Sequence, residues 1–140
     1  VLEKIEPERF VCGSIIAHED AVMRMASDKR VPLNVCMGHS VSAGKVESYA
    51  AFPLRRLIDD GAVVSLGSGL PSLFKSTLTG QYLVAIHDNK LSVGELETVS
   101  LNAIGASFMA DEEKATMIAS FKAAFEQLRA EHGVALDTSA

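Results

Sequence analysis

Cysteine is scarce in this chain, with Cys12 and Cys36 the only two in 140 residues. So few thiols argue against a disulfide framework and lead us to expect a reducing, cytoplasmic setting. Runs of Lys and Arg are missing as well, and the formal net charge is −5. A surface that tracks phosphates needs clustered positive charge, so neither nucleic acid nor an anionic membrane is an expected partner. No apolar stretch approaches the roughly 20 residues of a membrane span. No secretory-signal pattern stands at the N-terminus, and no internal repeat or low-complexity tract is visible. The chain opens on Val1 rather than methionine, from which we expect a piece of something longer.

What is present suits a core. Hydrophobic residues make up 48% of the chain, enough for one compact unit, taken here as a single domain over residues 1–140. Apolar runs alternate with helical periodicity, the pattern of βα units around a parallel sheet. The first strand is expected over Arg9 to Gly13, centred on Phe10-Val11-Cys12. A helix follows from about Glu19 to Lys29, with Val22, Met25 and Ala26 on one face. The second strand runs from Val31 to Cys36, with Pro32 near its start. A polar loop is expected from Gly38 to Glu47.

Pro53 suits the first turn of the next helix, where its missing N–H is harmless. Leu54, Leu57 and Ile58 give that helix a buried face, and Gly61 suits a left-handed C-terminal position. Ala62 to Leu66 reads as a third strand, apolar as a doubly covered parallel strand should be. Beyond it the chain reads helical. Ser92 and Glu95 suit a capping box, with Leu96, Val99, Ala103 and Ile104 as the inward stripe. Asp111 is expected to cap the last helix, with Glu112 and Glu113 in its positive first turn. Ile118, Phe121, Phe125 and Leu128 are expected to line its buried side, with Gly133 as the stop. The sum is an α/β fold of three parallel strands and about six helical segments.

The run Ser65-Leu66-Gly67-Ser68-Gly69-Leu70-Pro71, continuing through Phe74 to Ser76-Thr77-Leu78, resembles the last barrel strand and following helix start of the adenosine deaminase family. Asn34-Val35-Cys36, Val46-Glu47-Ser48-Tyr49, Pro53-Leu54-Arg55-Arg56-Leu57, Leu101-Asn102-Ala103-Ile104 and Ser107-Phe108 resemble further family segments in the same order. The likeness runs from about Arg9 to Leu128. It implies the C-terminal part of a (β/α)8 TIM-type barrel within the metal-dependent amidohydrolase superfamily. A whole barrel typically needs about 250 residues, so this unit would be partial. The family reaction is zinc-dependent hydrolytic deamination of adenosine to inosine.

The departures fall at the family's functional positions. Family members end the last strand in a pair of acids, one binding zinc and one contacting the purine. Gly69 and Leu70 stand there. Cys12 replaces a histidine that positions the zinc-bound water. The family's Cys-Pro-Thr-Ser-Asn turn reads Cys36-Met37-Gly38-His39-Ser40, and its His-Pro-Leu helix start reads Phe52-Pro53-Leu54. Hydrolytic deamination uses a metal to lower the pKa of bound water from about 15.7 to about 7, together with a base and an acid. Glycine offers no ligand and leucine no proton, so the chain is expected to be inactive alone, as a fragment or a pseudoenzyme. No cofactor is expected in this chain, zinc belonging to the family it resembles. Ser68, Gly69 and Leu70 are the candidate substrate-binding positions for a purine nucleoside.

The residues themselves offer one other centre. Cys36 and His39 share a Cys-x-x-His spacing at a strand end, and Cys12 should sit at the same end of a neighbouring strand, where such sheets bind ligands. The plainer reading is that cysteine packs as a small apolar side chain and that His39 lies on a loop. His18 is expected at a helix start, His87 near a helix end and His132 close to the C-terminus, and all three read as structural. Gly67-Ser68-Gly69 superficially resembles an anion-cradling loop but lacks the accompanying lysine and full glycine spacing. Phe74 reads as packing, and Glu112, Glu113 and Glu126 as a solvated face. Two alternatives to a deaminase segment follow. One is an interaction module that uses its exposed sheet edges, completed by a missing N-terminal barrel portion or by a second copy. The other is a purine binder without turnover.

Overall fold

The structure, a computed structural model, describes residues 6–11 and 19–136. Three strands form one parallel sheet in the order β1 (Phe10–Val11), β2 (Leu33–Val35), β3 (Val64–Leu66). Phe10 lies beside Leu33 and Leu33 beside Val64, while Val11, Asn34 and Ser65 share the next row. Side chains alternate across a strand. Phe10, Leu33, Val35, Val64 and Leu66 therefore point to one face, and Val11, Asn34 and Ser65 to the other.

The first face carries the core. Helix α1 (Asp20–Asp28) returns the chain from β1 to β2 and adds Met23 and Ala26. Helix α3 (Leu54–Asp59) precedes β3 and adds Leu54 and Leu57, both fully buried, with Ile58 packed against them. Pro53 stands immediately before α3, and Gly61 takes a left-handed φ of +76°. Gly61 fulfils its expected role, while Pro53 caps the helix one residue before the expected first-turn position.

Between β2 and α3 the structure departs from the expected loop. Met37–Ser42 is a short helix, α2. Its Gly38 N–H donates to the buried Gln81 Oε1 at 3.0 Å, and its Ser40 hydroxyl donates to Cys36 O at 3.2 Å. One long-range partner and one local side-chain bond thus hold a stretch whose glycine and serines are poor helix formers.

After β3 come α4 (Pro71–Phe74), α5 (Leu78–His87), α6 (Val93–Gly105) and α7 (Asp111–His132). The capping box at α6 is complete. Ser92 Oγ accepts from Glu95 N, and Glu95 Oε2 accepts from Ser92 N at 2.8 Å. Val99 and Ile104 of α6 are buried and Leu96 is half-buried, but Ala103 is exposed. Helix α6 also guards the outer edge of β3. Val63 O and Gly67 N both bond to β2, so by alternation Val64 O faces away from it. Asn102 Nδ2 donates to that oxygen at 2.9 Å.

Helix α7 differs from expectation at both its start and its face. Ala110, not Asp111, is the capping residue; Asp111 is the first residue of the helix. Glu113 reaches back to accept from Ala110 N at 3.2 Å. No α7 residue is buried. Ile118 and Phe125 are half-buried, while Phe121 and Leu128 are exposed. Helix α6 packs along one side of α7, partly through the Arg129–Glu97 ion pair, and most of the rest of α7 stays exposed. Gly133 ends α7 with a left-handed φ of +62°. No helix among the described residues is long and apolar enough to cross a membrane.

Candidate functional site at the carboxyl ends of the strands

In parallel α/β sheets, ligands bind beyond the carboxyl ends of the strands. Here that end is formed by Cys36 after β2 and by Gly67 to Leu70 after β3. Cys12 and His18 lie outside the described residues.

The site starts from a ladder of polar side chains. Cys36 Sγ donates to Asn34 Oδ1 at 3.6 Å, and Asn34 Nδ2 donates to Ser65 Oγ at 3.2 Å. Cys36 and Ser65 are both buried. The chain above the ladder is pressed against it. A Cβ at Gly67 would lie 2.6 Å from Asn34 Oδ1 and 3.1 Å from Cys36 Sγ. A Cβ at Gly69 would meet His39 Cβ at 3.2 Å and Cys36 Cβ at 3.3 Å, and Gly69 has a left-handed φ of +69°. Glycine is thus used where the backbone passes too close to neighbouring side chains to carry one of its own.

Cys36, His39 and Gly69 are therefore brought together. The His39 ring stacks on Phe74, centroids 5.1 Å apart with 17° between planes. His39 sits half-buried on α2 rather than on a loop, and Phe74 half-buried beside it. Ser68 turns its carbonyl to Ser76 Oγ, which donates at 2.6 Å. Leu70 points outward and is 54% exposed.

Among the described residues the strand ends bring few metal donors. Gly69 brings no ligand atom, Leu70 brings a hydrocarbon, and the Cys36 thiol is directed at an amide oxygen. Among the described residues no group of three His, Cys, Asp or Glu side chains converges. His87 and His132 are the last residues of α5 and α7, away from this cluster in the chain, in keeping with helix-end positions.

Two buried polar residues that sequence patterns did not single out, Gln81 and Asn89, complete the surroundings, together with the buried Ser76 of the family-like run. Gln81 anchors α2 through Gly38. Asn89 Nδ2 donates to Tyr49 O at 3.3 Å and lies 3.7 Å from Met37 Sδ. Each sits in a polar-tolerant helical or loop context, so no local pattern marks it; only the long-range partner does. Below the ladder, a groove of about 260 Å³ runs between Arg9, Asn34, Ser65, Ala103 of α6 and Ala106 just after it.

This geometry has relatives. Residues 1–124 match the family pattern described as adenosine deaminase. An adenine deaminase of Sinorhizobium medicae (strain WSM419) is 29% identical over 118 residues, covering 84% of this chain and 36% of that protein. The crystal structure of an adenine deaminase from Arthrobacter aurescens superposes with a TM-score of 0.83 at 25% identity, over 89% of this chain and 38% of that one. A cog1816 amidohydrolase from Burkhoderia ambifaria, solved with bound Zn, gives a TM-score of 0.83 at 16% identity, over 96% of this chain and 38% of that one. The chain thus spans about a third of the length of the proteins it resembles.

Proposed function

The chain belongs to the adenosine deaminase family, and we propose that it serves as one wall of a deaminase-type barrel without performing the deamination by itself. The observation that carries this reading is the packing at Gly69. At the strand end where the resemblance calls for an acidic ligand, the backbone lies against Cys36 and His39 with no side chain of its own. Leu70 beside it can neither hold a metal nor move a proton. Groups that act together in catalysis fail together when removed.

The test is ammonia release from adenosine and from adenine by the purified chain, supplied with zinc. We expect no release above the protein-free blank. Saturable release that a chelator abolishes would overturn the proposal.

A second reading is supported by the sheet. Three parallel strands leave two lateral edges, and Val11 of β1 is 67% exposed. Open edges invite another chain, and the relatives are more than twice as long, 118 matched residues being 36% of the Sinorhizobium medicae protein. In this reading a partner supplies further strands, either an N-terminal barrel portion or a second copy. An elution volume of a 14.9 kDa monomer, unchanged across concentration, would argue against a second copy. The purine-binding reading places the base over Ser68 to Leu70. A melting temperature unmoved by saturating adenosine would remove it.

A further inference from the structure

Arg9 is held in place without a counter-charge. Its Nη1 donates to Ala106 O at 3.1 Å, and its guanidinium lies over the Phe108 ring, 4.2 Å from the centroid. One N–H is spent there and the rest of the fork is left. Among the described residues no carboxylate pairs with it.

This guanidinium borders the groove of about 260 Å³ on the face of the sheet turned away from the core. Asn34 of β2 and Ser65 of β3 line the same groove. Asn34 Nδ2 gives one proton to Ser65 Oγ and keeps its second. Ser65 Oγ accepts that bond, so its own hydroxyl proton is uncommitted. Ser65 is only 4% exposed, and a hydroxyl so buried needs its acceptor from within the groove. Val11, Pro32, Ala103 and Ala106 supply apolar wall. Pro32 has no N–H to offer, and Ala106 O is already taken by Arg9. Among the described residues no Asp or Glu lines the groove.

We infer that this groove binds a small carboxylate with a short apolar body, its oxygens accepting from Arg9, Ser65 and Asn34. Lone pairs and a negative charge answer a cation and two neutral donors, and the flat guanidinium fork matches a carboxylate. A cation would meet the guanidinium, and a neutral donor would meet other donors. Because Ala106 and Phe108 already hold Arg9, less side-chain freedom is lost on binding. The inference does not rest on the barrel-wall proposal, which concerns Gly69 and Leu70.

Benzoate is the probe, with benzamide as its uncharged counterpart. The intact chain is titrated at fixed ionic strength, so that general screening stays constant, and followed by amide NMR. Benzoate should give saturable shifts at Arg9, Asn34 and Ser65. Benzamide should bind at least about tenfold more weakly, since hydrogen bonds to a charged group are the stronger kind. Inorganic phosphate, with charge but no apolar part, should also bind more weakly than benzoate. Arg9 is exposed, so Arg9→Gln should fold, checked by circular dichroism, and should weaken benzoate at least about tenfold. No saturation up to the solubility of benzoate, equal affinity for benzamide or phosphate, or unchanged affinity in Arg9→Gln would each overturn the inference.

Discussion

Gly67 has no room for a side chain. An added methyl would sit 2.6 Å from Asn34 Oδ1 and 3.1 Å from both Asn34 Nδ2 and Cys36 Sγ, and Asn34 is held by bonds on both sides. Gly67→Ala should lower stability by about 1–3 kcal/mol, the usual cost of overpacking. In urea unfolding, Asn34→Ala combined with Gly67→Ala should cost less than the two separate losses added together, because the clash is shared. Additive losses would show that the two residues are not in conflict. In the sequence the two glycines suggested a weak anion cradle, and Gly69 also stood at the family's acid position as a candidate for substrate binding. Their actual reason is the bulk of Asn34, Cys36 and His39 beneath them, which a run of local residue types does not convey. A second residue-scale effect belongs to Glu95. The hydrogen bond from Arg55, with those from Ser92, holds its carboxyl at about 2, below its ordinary 4.5. A depressed carboxylate stabilises the fold fully above its ordinary pKa and loses that contribution as pH falls toward the folded value. Stability measured by urea unfolding should therefore drop between pH 4.5 and 2, by no more than about 2 kcal/mol given partial exposure. Glu95→Gln should flatten that drop. A pH profile identical to the parent's would count against the Arg55 contact as its cause.

Among the elements, those with strong local signals were legible. The α6 capping box and the stop glycines of α3 and α7 were readable because one residue type at one position does the work. Helix α2 was not, because Met37–Ser42 contains one glycine and two serines and takes its shape from Gln81 and the core. The face of α7 was misjudged for the opposite reason. Ile118, Phe121, Phe125 and Leu128 have the spacing of a buried stripe, but periodicity cannot say whether a second layer exists to cover it. The start of α7 gives a prediction of gain. Glu113 already accepts from Ala110 N, while the alanine side chain offers nothing in return. Ala110→Ser should complete the reciprocal pair and stabilise by about 0.5–1 kcal/mol. A melting temperature equal to or below the parent's would contradict it.

At the scale of the molecule, burial is uneven. Leu33, Val35, Leu54, Leu57 and Val64 are almost wholly enclosed, whereas α7 has no buried residue over 22 positions. Local opening follows burial. Amide hydrogen exchange should therefore be slowest in β2, β3 and α3, and at least about tenfold faster along α7. Equal protection throughout would mean that α7 opens only with the whole. The three parallel strands were legible because apolar runs and helices alternate. So was the likeness to part of a barrel, from motifs in the right order. What surrounds the sheet was not, since edges are satisfied by groups far away in the chain.

The amide of Asn102 on Val64 O is one such group. A newcomer strand could register along β3 only by evicting that side chain. Joining on this flank is thus a swap of partners rather than a simple gain, and its net reward is reduced by the bond surrendered.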